Sequence, residues 1–225
     1  MDLKENTNQV FQQVTKAIQE TGREDGSVSV IAVTKYVDIA TAANLIDQGV
    51  KHIGENRVDK FLEKYHALSD KDVTWHLIGS LQRRKVKDII PYVDYFHALD
   101  SLKLAQEIQK RANRTVKCFL QVNISGEESK HGFSKEELLT VLPDLSSLDK
   151  IEYVGLMTMA PFEAQTEELQ KIFKETQELQ QYIREQQLPN MPMTELSMGM
   201  SRDYKEAIQC GSTFVRIGTA FFNRK

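Results

Sequence analysis

Lys35 closes a β-branched, apolar run, Ser29-Val30-Ile31-Ala32-Val33-Thr34-Lys35. A lysine at the exit of a core strand either reaches water or serves chemistry. A primary amine in a partly dry pocket forms Schiff bases with aldehydes, because burial disfavours its charged form and lowers its pKa. The alternative is a strand-end side chain whose ammonium snorkels to solvent. A second chemical feature lies far along the chain. Ser197-Met198-Gly199-Met200-Ser201 leads into a short helix expected over 202–210, and Gly218-Thr219 follows. Ser201, near the first turn of that helix, stands where free backbone N–H groups and the helix dipole favour a dianion. Gly218 and Thr219 add N–H groups and a hydroxyl; the alternative there is a plain cap and a β-turn. An amine and a phosphate cradle together describe a site for a phosphorylated aldehyde.

These residues need a scaffold that brings positions 35, 201 and 218 together. Short β-branched or aromatic runs mark strands near 28–34, 52–54, 73–78, 94–97, 115–122, 151–156, 193–197 and 213–217. Helical periodicity lies between them. Ile39, Ala42, Ala43 and Ile46 share a face that Gly49 ends, and Val86, Ile89 and Ile90 stop at Pro91. Ser101 is a candidate N-cap, and Ser134 with Glu137 spells a capping box. Alternation of this kind implies a parallel sheet, and eight units imply closure into a single α/β barrel of the (β/α)8 type. An additional helix near 2–22, with Val10, Val14, Ala17 and Ile18 on one face, is expected to cover the barrel bottom. The competing open doubly wound sheet requires a Gly-rich turn after the first strand, and Thr34-Lys35-Tyr36-Val37-Asp38 has no glycine. Residues 1–225 read as one domain, with 1–24 an N-terminal helix packed on the barrel.

In such barrels chemistry sits at the C-terminal ends of the strands. Lys35, Gly54-Glu55-Asn56, Trp75-His76-Leu77-Ile78-Gly79 and Arg216-Ile217-Gly218-Thr219 all fall there. Pyridoxal 5′-phosphate (PLP) is the commonest cofactor with an aldehyde and a phosphate, although Schiff-base aldolases share that pairing. The net charge of −3, without a basic block, argues against nucleic acid or an anionic membrane as partner. No apolar run approaches the roughly 20 residues that span a bilayer. Cys118 and Cys210 have no metal-ligand spacing and no disulfide framework, which points to a reducing cytoplasm.

Several ordered blocks resemble the pyridoxal phosphate homeostasis proteins: Val33-Thr34-Lys35, Gly54-Glu55-Asn56, Trp75-His76-Leu77-Ile78-Gly79-Ser80-Leu81-Gln82, Ser129-Lys130-His131-Gly132, Leu196-Ser197-Met198-Gly199-Met200-Ser201 and Val215-Arg216-Ile217-Gly218-Thr219. The resemblance implies a barrel like the N-terminal domain of alanine racemase. It implies that Lys35 holds PLP as an aldimine and that Ser201, Gly218 and Thr219 bind its phosphate. By the same resemblance Arg216 stands beside the ring nitrogen, Asn56 and His76 line the rim, and Lys130 is a second lysine near the pocket. The ending Ala220-Phe221-Phe222-Asn223-Arg224-Lys225 departs from the family's usual apolar-Phe-Gly. The implied role is a carrier or buffer in vitamin B6 homeostasis, a cytoplasmic monomer with apo PLP enzymes as candidate recipients. A PLP-dependent racemase or lyase is the alternative. Against it stand the expected arginine at the ring nitrogen, the expected lidless rim, and a chain whose pattern ends at the barrel without a racemase's second domain.

Overall fold

The computed structural model describes residues 2–126 and 131–222. Eight parallel strands close into a barrel in chain order: β1 (Ser29–Val33), β2 (His52–Glu55), β3 (Thr74–Leu77), β4 (Tyr95–Leu99), β5 (Val116–Gln121), β6 (Ile151–Met157), β7 (Glu195–Met200) and β8 (Phe214–Ile217). β8 pairs with β1, with Ile31 opposite Arg216. Around it run α1 (Leu3–Glu20), α2 (Ile39–Asp47), α3 (Val58–Ala67), α4 (Val86–Ile89), α5 (Leu102–Arg111), α6 (Lys135–Ser146), α7 (Thr166–Glu185), α8 (Tyr204–Gln209) and α9 (Thr219–Phe222).

Local signals hold where their chemistry is local. Ser101 Oγ accepts the Leu104 N–H, and Ser134 and Glu137 close a complete capping box. Gly49 follows α2 at φ +96°, a conformation that costs glycine little.

Two expectations change. The first concerns α1, which does not cover the barrel bottom. β8 is followed within the described residues only by the four-residue α9, which leaves an outer slot between α8 and α2. α1 fills that slot. Its amino end ties to the rim, where Asn6 Nδ2 donates to the Phe221 carbonyl at 3.0 Å. Its far end passes to Arg23, which donates to the Ile208 and Ser212 carbonyls at the base. Val10, Val14, Ala17 and Ile18 are the buried face, as their spacing requires.

The second concerns the Ser197–Ser201 segment, expected as a loop. Here β7 continues to Met200, and the register shifts against β8 between Ser197 and Met200. Gly199, at φ +95°, makes this irregularity possible. A Cβ there would lie 2.6 Å from Ala207 Cβ and 2.9 Å from Tyr204 Cα. Ser197 therefore points into the barrel rather than into a rim loop. Among the described residues no helix is long and apolar enough to cross a membrane, and no group of three or more His, Cys, Asp or Glu is placed to hold a metal.

Candidate functional site

At the C-terminal ends of the strands an open cavity of about 1030 Å³ is lined by Lys35, Asn56, Ser201, Arg216, Gly218 and Thr219. Six of the residues singled out in the sequence thus face one space. Ile78, Gln121, His131, Met159, Phe162, Arg202 and Asp203 are among the other residues of its walls.

Lys35 lies one residue past Thr34, in the turn between β1 and α2. It is exposed on the cavity wall rather than held in a dry pocket, with Nζ 4.8 Å from the Tyr36 ring centroid. The turn beneath it is clamped by a buried ion pair. Lys64 Nζ lies 2.5 Å from Glu55 Oε1 and donates to the Thr34 carbonyl at 2.8 Å, while Thr34 Oγ1 donates to the same carboxylate oxygen at 2.6 Å. Glu55 Oε2 is buried without a partner among the described residues. Lys64 was legible as unusual: three residues past Phe61 and four before Leu68, it falls on the apolar face of α3. On the next strands the Gly79 backbone presses against Asn56, where a Cβ would meet the Asn56 carbonyl at 2.0 Å.

Opposite Lys35, Ser201 Oγ accepts the Gly218 N–H at 3.3 Å, so the turns after β7 and β8 touch. Ser201 is not in the first turn of α8, which begins at Tyr204. Asp203 occupies the N-cap position and accepts the Met200 N–H at 2.6 Å, and burial raises its carboxyl above the usual range. A carboxyl thus stands beside the α8 terminus expected for an anion, although it caps none of that helix's N–H groups. The donors left for a dianion are the Ser201 and Thr219 hydroxyls and the Thr219 and Ala220 N–H groups that open α9, the Phe221 N–H being given to the Gly218 carbonyl. Phe162 and Arg202 meet across the mouth, the guanidinium 3.8 Å from the ring centroid.

Arg216 projects inward from β8 and is almost wholly buried. It donates to Ser197 Oγ at 2.6 Å and to the Thr158 carbonyl at 3.0 Å. Burial pushes it down to about 10, and Asp203 opposes that shift.

His76 is not on the rim. It is fully buried inside the barrel, because its β3 position pairs with Gly54 and Tyr95 one layer below the cavity. Its Nε2 lies 2.9 Å from His52 Nδ1, and its Nδ1 lies 2.9 Å from His97 Nε2. His97 Nδ1 in turn lies 2.8 Å from Ser197 Oγ. The rings stack on aromatic neighbours, His76 on Tyr95 and His97 on Phe119. Lys130 and the carboxyl-terminal residues 223–225 lie outside the described residues. His131 is described, and its carbonyl accepts from Gln121 Nε2 at 3.2 Å.

A closed parallel barrel with a lysine after β1 and touching hydroxyl–glycine turns after β7 and β8 is a racemase-type barrel. The family described as alanine racemase, N-terminal domain, matches residues 8–224. A pyridoxal phosphate homeostasis protein of Aquifex aeolicus is 36% identical over 228 residues, covering 100% of this chain and 99% of that protein. PipY of Synechococcus elongatus PCC7942, solved with PLP bound, superposes with a TM-score of 0.88 at 33% identity, covering 99% of this chain and 100% of that one. A protein from Bifidobacterium adolescentis superposes with a TM-score of 0.93 at 34% identity, over 98% and 94% of the two chains. The chain belongs to the pyridoxal phosphate homeostasis protein family.

Proposed function

We propose that this protein binds PLP in the rim cavity and serves PLP homeostasis as a carrier or buffer without turnover of its own. The supporting observation is that an exposed lysine, a buried arginine and a hydroxyl–glycine cradle line one cavity. When bound, PLP supplies an electrophilic aldehyde on a conjugated ring. Lys35 offers the amine to that aldehyde. Ser201 and Thr219 offer hydroxyl donors to the phosphate, Gly218 holds Ser201 in place through its own N–H and leads into the N–H groups that open α9, and Asn56 borders the ring space. Arg216, which has only N–H groups to give, offers a donor to the ring nitrogen. His76 acts on the site only through the groups above it.

The same residues favour holding over turnover. A guanidinium at the ring nitrogen opposes protonation there by like charge, which weakens the ring as an electron sink. The cavity is open, so water reaches the position where an amino acid would have to be oriented. The two cysteines are free in the structure, in keeping with a reducing cytoplasm. Delivery to apo PLP enzymes by a monomeric, single-domain protein completes the proposal.

Borohydride reduction followed by peptide mass mapping is expected to place the pyridoxyl group on Lys35. Label mainly on Lys130 or Lys205 would sink that assignment. Absorbance titration is expected to show PLP binding far more tightly than pyridoxal, which lacks the phosphate. The Ser201→Ala/Thr219→Val variant should narrow that gap, with losses that are coupled because both hydroxyls meet one dianion. Equal affinity for the two ligands in the parent would move the phosphate site elsewhere. Racemisation or decarboxylation of amino acids by the purified yellow protein would favour the enzyme reading.

A further inference from the structure

Arg216 carries a buried charge, yet both of its hydrogen-bond acceptors, Ser197 Oγ and the Thr158 carbonyl, are neutral. Asp203 acts on it electrostatically but spends its carboxyl on the Met200 N–H. A buried cation hydrogen-bonded only to neutral acceptors is costly, so the groups in contact with it must solvate it. The file beneath it has the required polarity. A guanidinium has only hydrogens to give. Ser197 Oγ must therefore accept from Arg216, and the acceptor within reach of its own proton is His97 Nδ1 at 2.8 Å, which sets the polarity of the file. His97, accepting at Nδ1, carries its proton on Nε2 and gives it to His76 Nδ1 at 2.9 Å. By the same logic His76 Nε2 donates to His52 Nδ1 at 2.9 Å.

One end of the chain thus sets the tautomer of every ring in it. In this arrangement each imidazole turns its electron-rich nitrogen toward Arg216, and burial disfavours the charged form of each ring. Aligned dipoles of this kind reinforce one another in a low-dielectric interior. The file crosses the barrel from β8 and β7 through β4 and β3 to His52, half-buried at the start of β2.

We propose that Ser197, His97 and His76 are positioning residues that solvate the Arg216 guanidinium with a polarised file in place of a carboxylate, keeping it charged and aimed at the ring nitrogen of PLP. This rests on the PLP reading above. A carboxylate partner would neutralise the guanidinium, whereas the file holds it and leaves its full charge to the ligand. The surroundings keep the file neutral. Burial, with Arg216 and the other rings as like charges, holds His76 and His97 well below the ordinary histidine range. The groups packed on these rings are Tyr95, Phe119 and Phe214. Asp94 acts on His52 and Asp203 on Arg216, and neither acts on His76 or His97.

Nitrogen-15 NMR of the imidazoles in the protein without ligand tests the polarity directly. Neutral Nε2–H tautomers at His97 and His76 at pH 7, unchanged at pH 5.5, are expected. An Nδ1–H tautomer or a charged ring at His97 would overturn the file. PLP titration tests the consequence. Ser197→Ala should raise the Kd about tenfold, the lower bound for losing a charge-assisted hydrogen bond. Ser197→Thr, which keeps the hydroxyl, should restore the parent value. In an Arg216→Gln background, Ser197→Ala should change the Kd little, because its effect runs through the arginine. Additive losses, or no rescue by threonine, would make Ser197 an ordinary packing residue and overturn the proposal. A parent protein that takes up no PLP would defeat the functional reading, and the nitrogen spectra would then decide the file by themselves.

Discussion

Lys64→Met is expected to destabilise the protein by about 3–5 kcal/mol, the usual cost of removing one partner from a buried ion pair. The methionine fills the volume of the lysine stem, so the loss is electrostatic rather than a cavity. It leaves the Glu55 carboxylate buried with only the Thr34 hydroxyl as partner, and one of its oxygens already has none. It also strips the Thr34 carbonyl of its donor, one residue before Lys35. Urea denaturation at pH 7 would show the midpoint fall. Glu55→Gln in the same background keeps an acceptor for Thr34 but removes the stranded charge, and it should recover at least half of the loss. A single-variant loss under about 1 kcal/mol would place this pair with surface ion pairs in energetic terms. No recovery in the double variant would show that the charge is not what matters.

Acid is expected to weaken the fold well above the pH at which carboxylates titrate. His76 and His97 are held far below their ordinary value of 6.5 in the folded protein. As pH falls through 6.5, the unfolded chain binds protons that the folded chain refuses. Stability therefore drops with falling pH, and the drop continues until the folded values are reached. Each ring should cost about 1.4 kcal/mol between pH 7.5 and pH 5.5, so the pair costs about 3 kcal/mol. His52, lowered more modestly by burial, adds in the same direction. Asp100 and Asp203 have the opposite sign. Burial raises both, so the folded state takes up their protons first and gains stability as pH falls toward their unfolded value. The histidine signal is therefore read above pH 5.5. Urea midpoints taken at half-unit steps should give this slope, and His76→Phe should remove about half of it. A flat profile from pH 7.5 to 5.5 would mean that these rings are charged or hydrated in the folded state.

Much of the barrel was legible because each βα unit announces itself locally, through a β-branched run, a cap or a terminal glycine. The rim residues were legible for a similar reason: Lys35, Asn56, Ser201, Gly218 and Thr219 follow their strands directly. Arg216, inside β8, was placed by resemblance. What could not be read depends on register between strands. Ser197, His97, His76 and His52 come from four strands, and only the stagger of the closed barrel stacks them into a file. His76 was misplaced on the rim for that reason, since its motif shows a strand end but not how deep that end sits. The extent of β7 was hidden by Gly199, a residue that resembles a loop in sequence and forms a bulge in the sheet. Lys64 is the opposite case, since the period of α3 already carried the information.

The placement of α1 has a consequence for how the chain reaches this state. The helix that precedes β1 is the last wall to be fitted. Asn6 is bound to Phe221 across 215 positions of sequence, and β1 finds its second neighbour only in β8. Contacts of such span form late and slowly, because the whole intervening chain must be in place before they give any return. During synthesis on a ribosome, α1 and the open edge of β1 therefore wait until β8 and α9 have emerged. Moved to follow α9, the same helix would give a permuted chain with an uninterrupted strand-then-helix order, in which only the β1–β8 seam would close late.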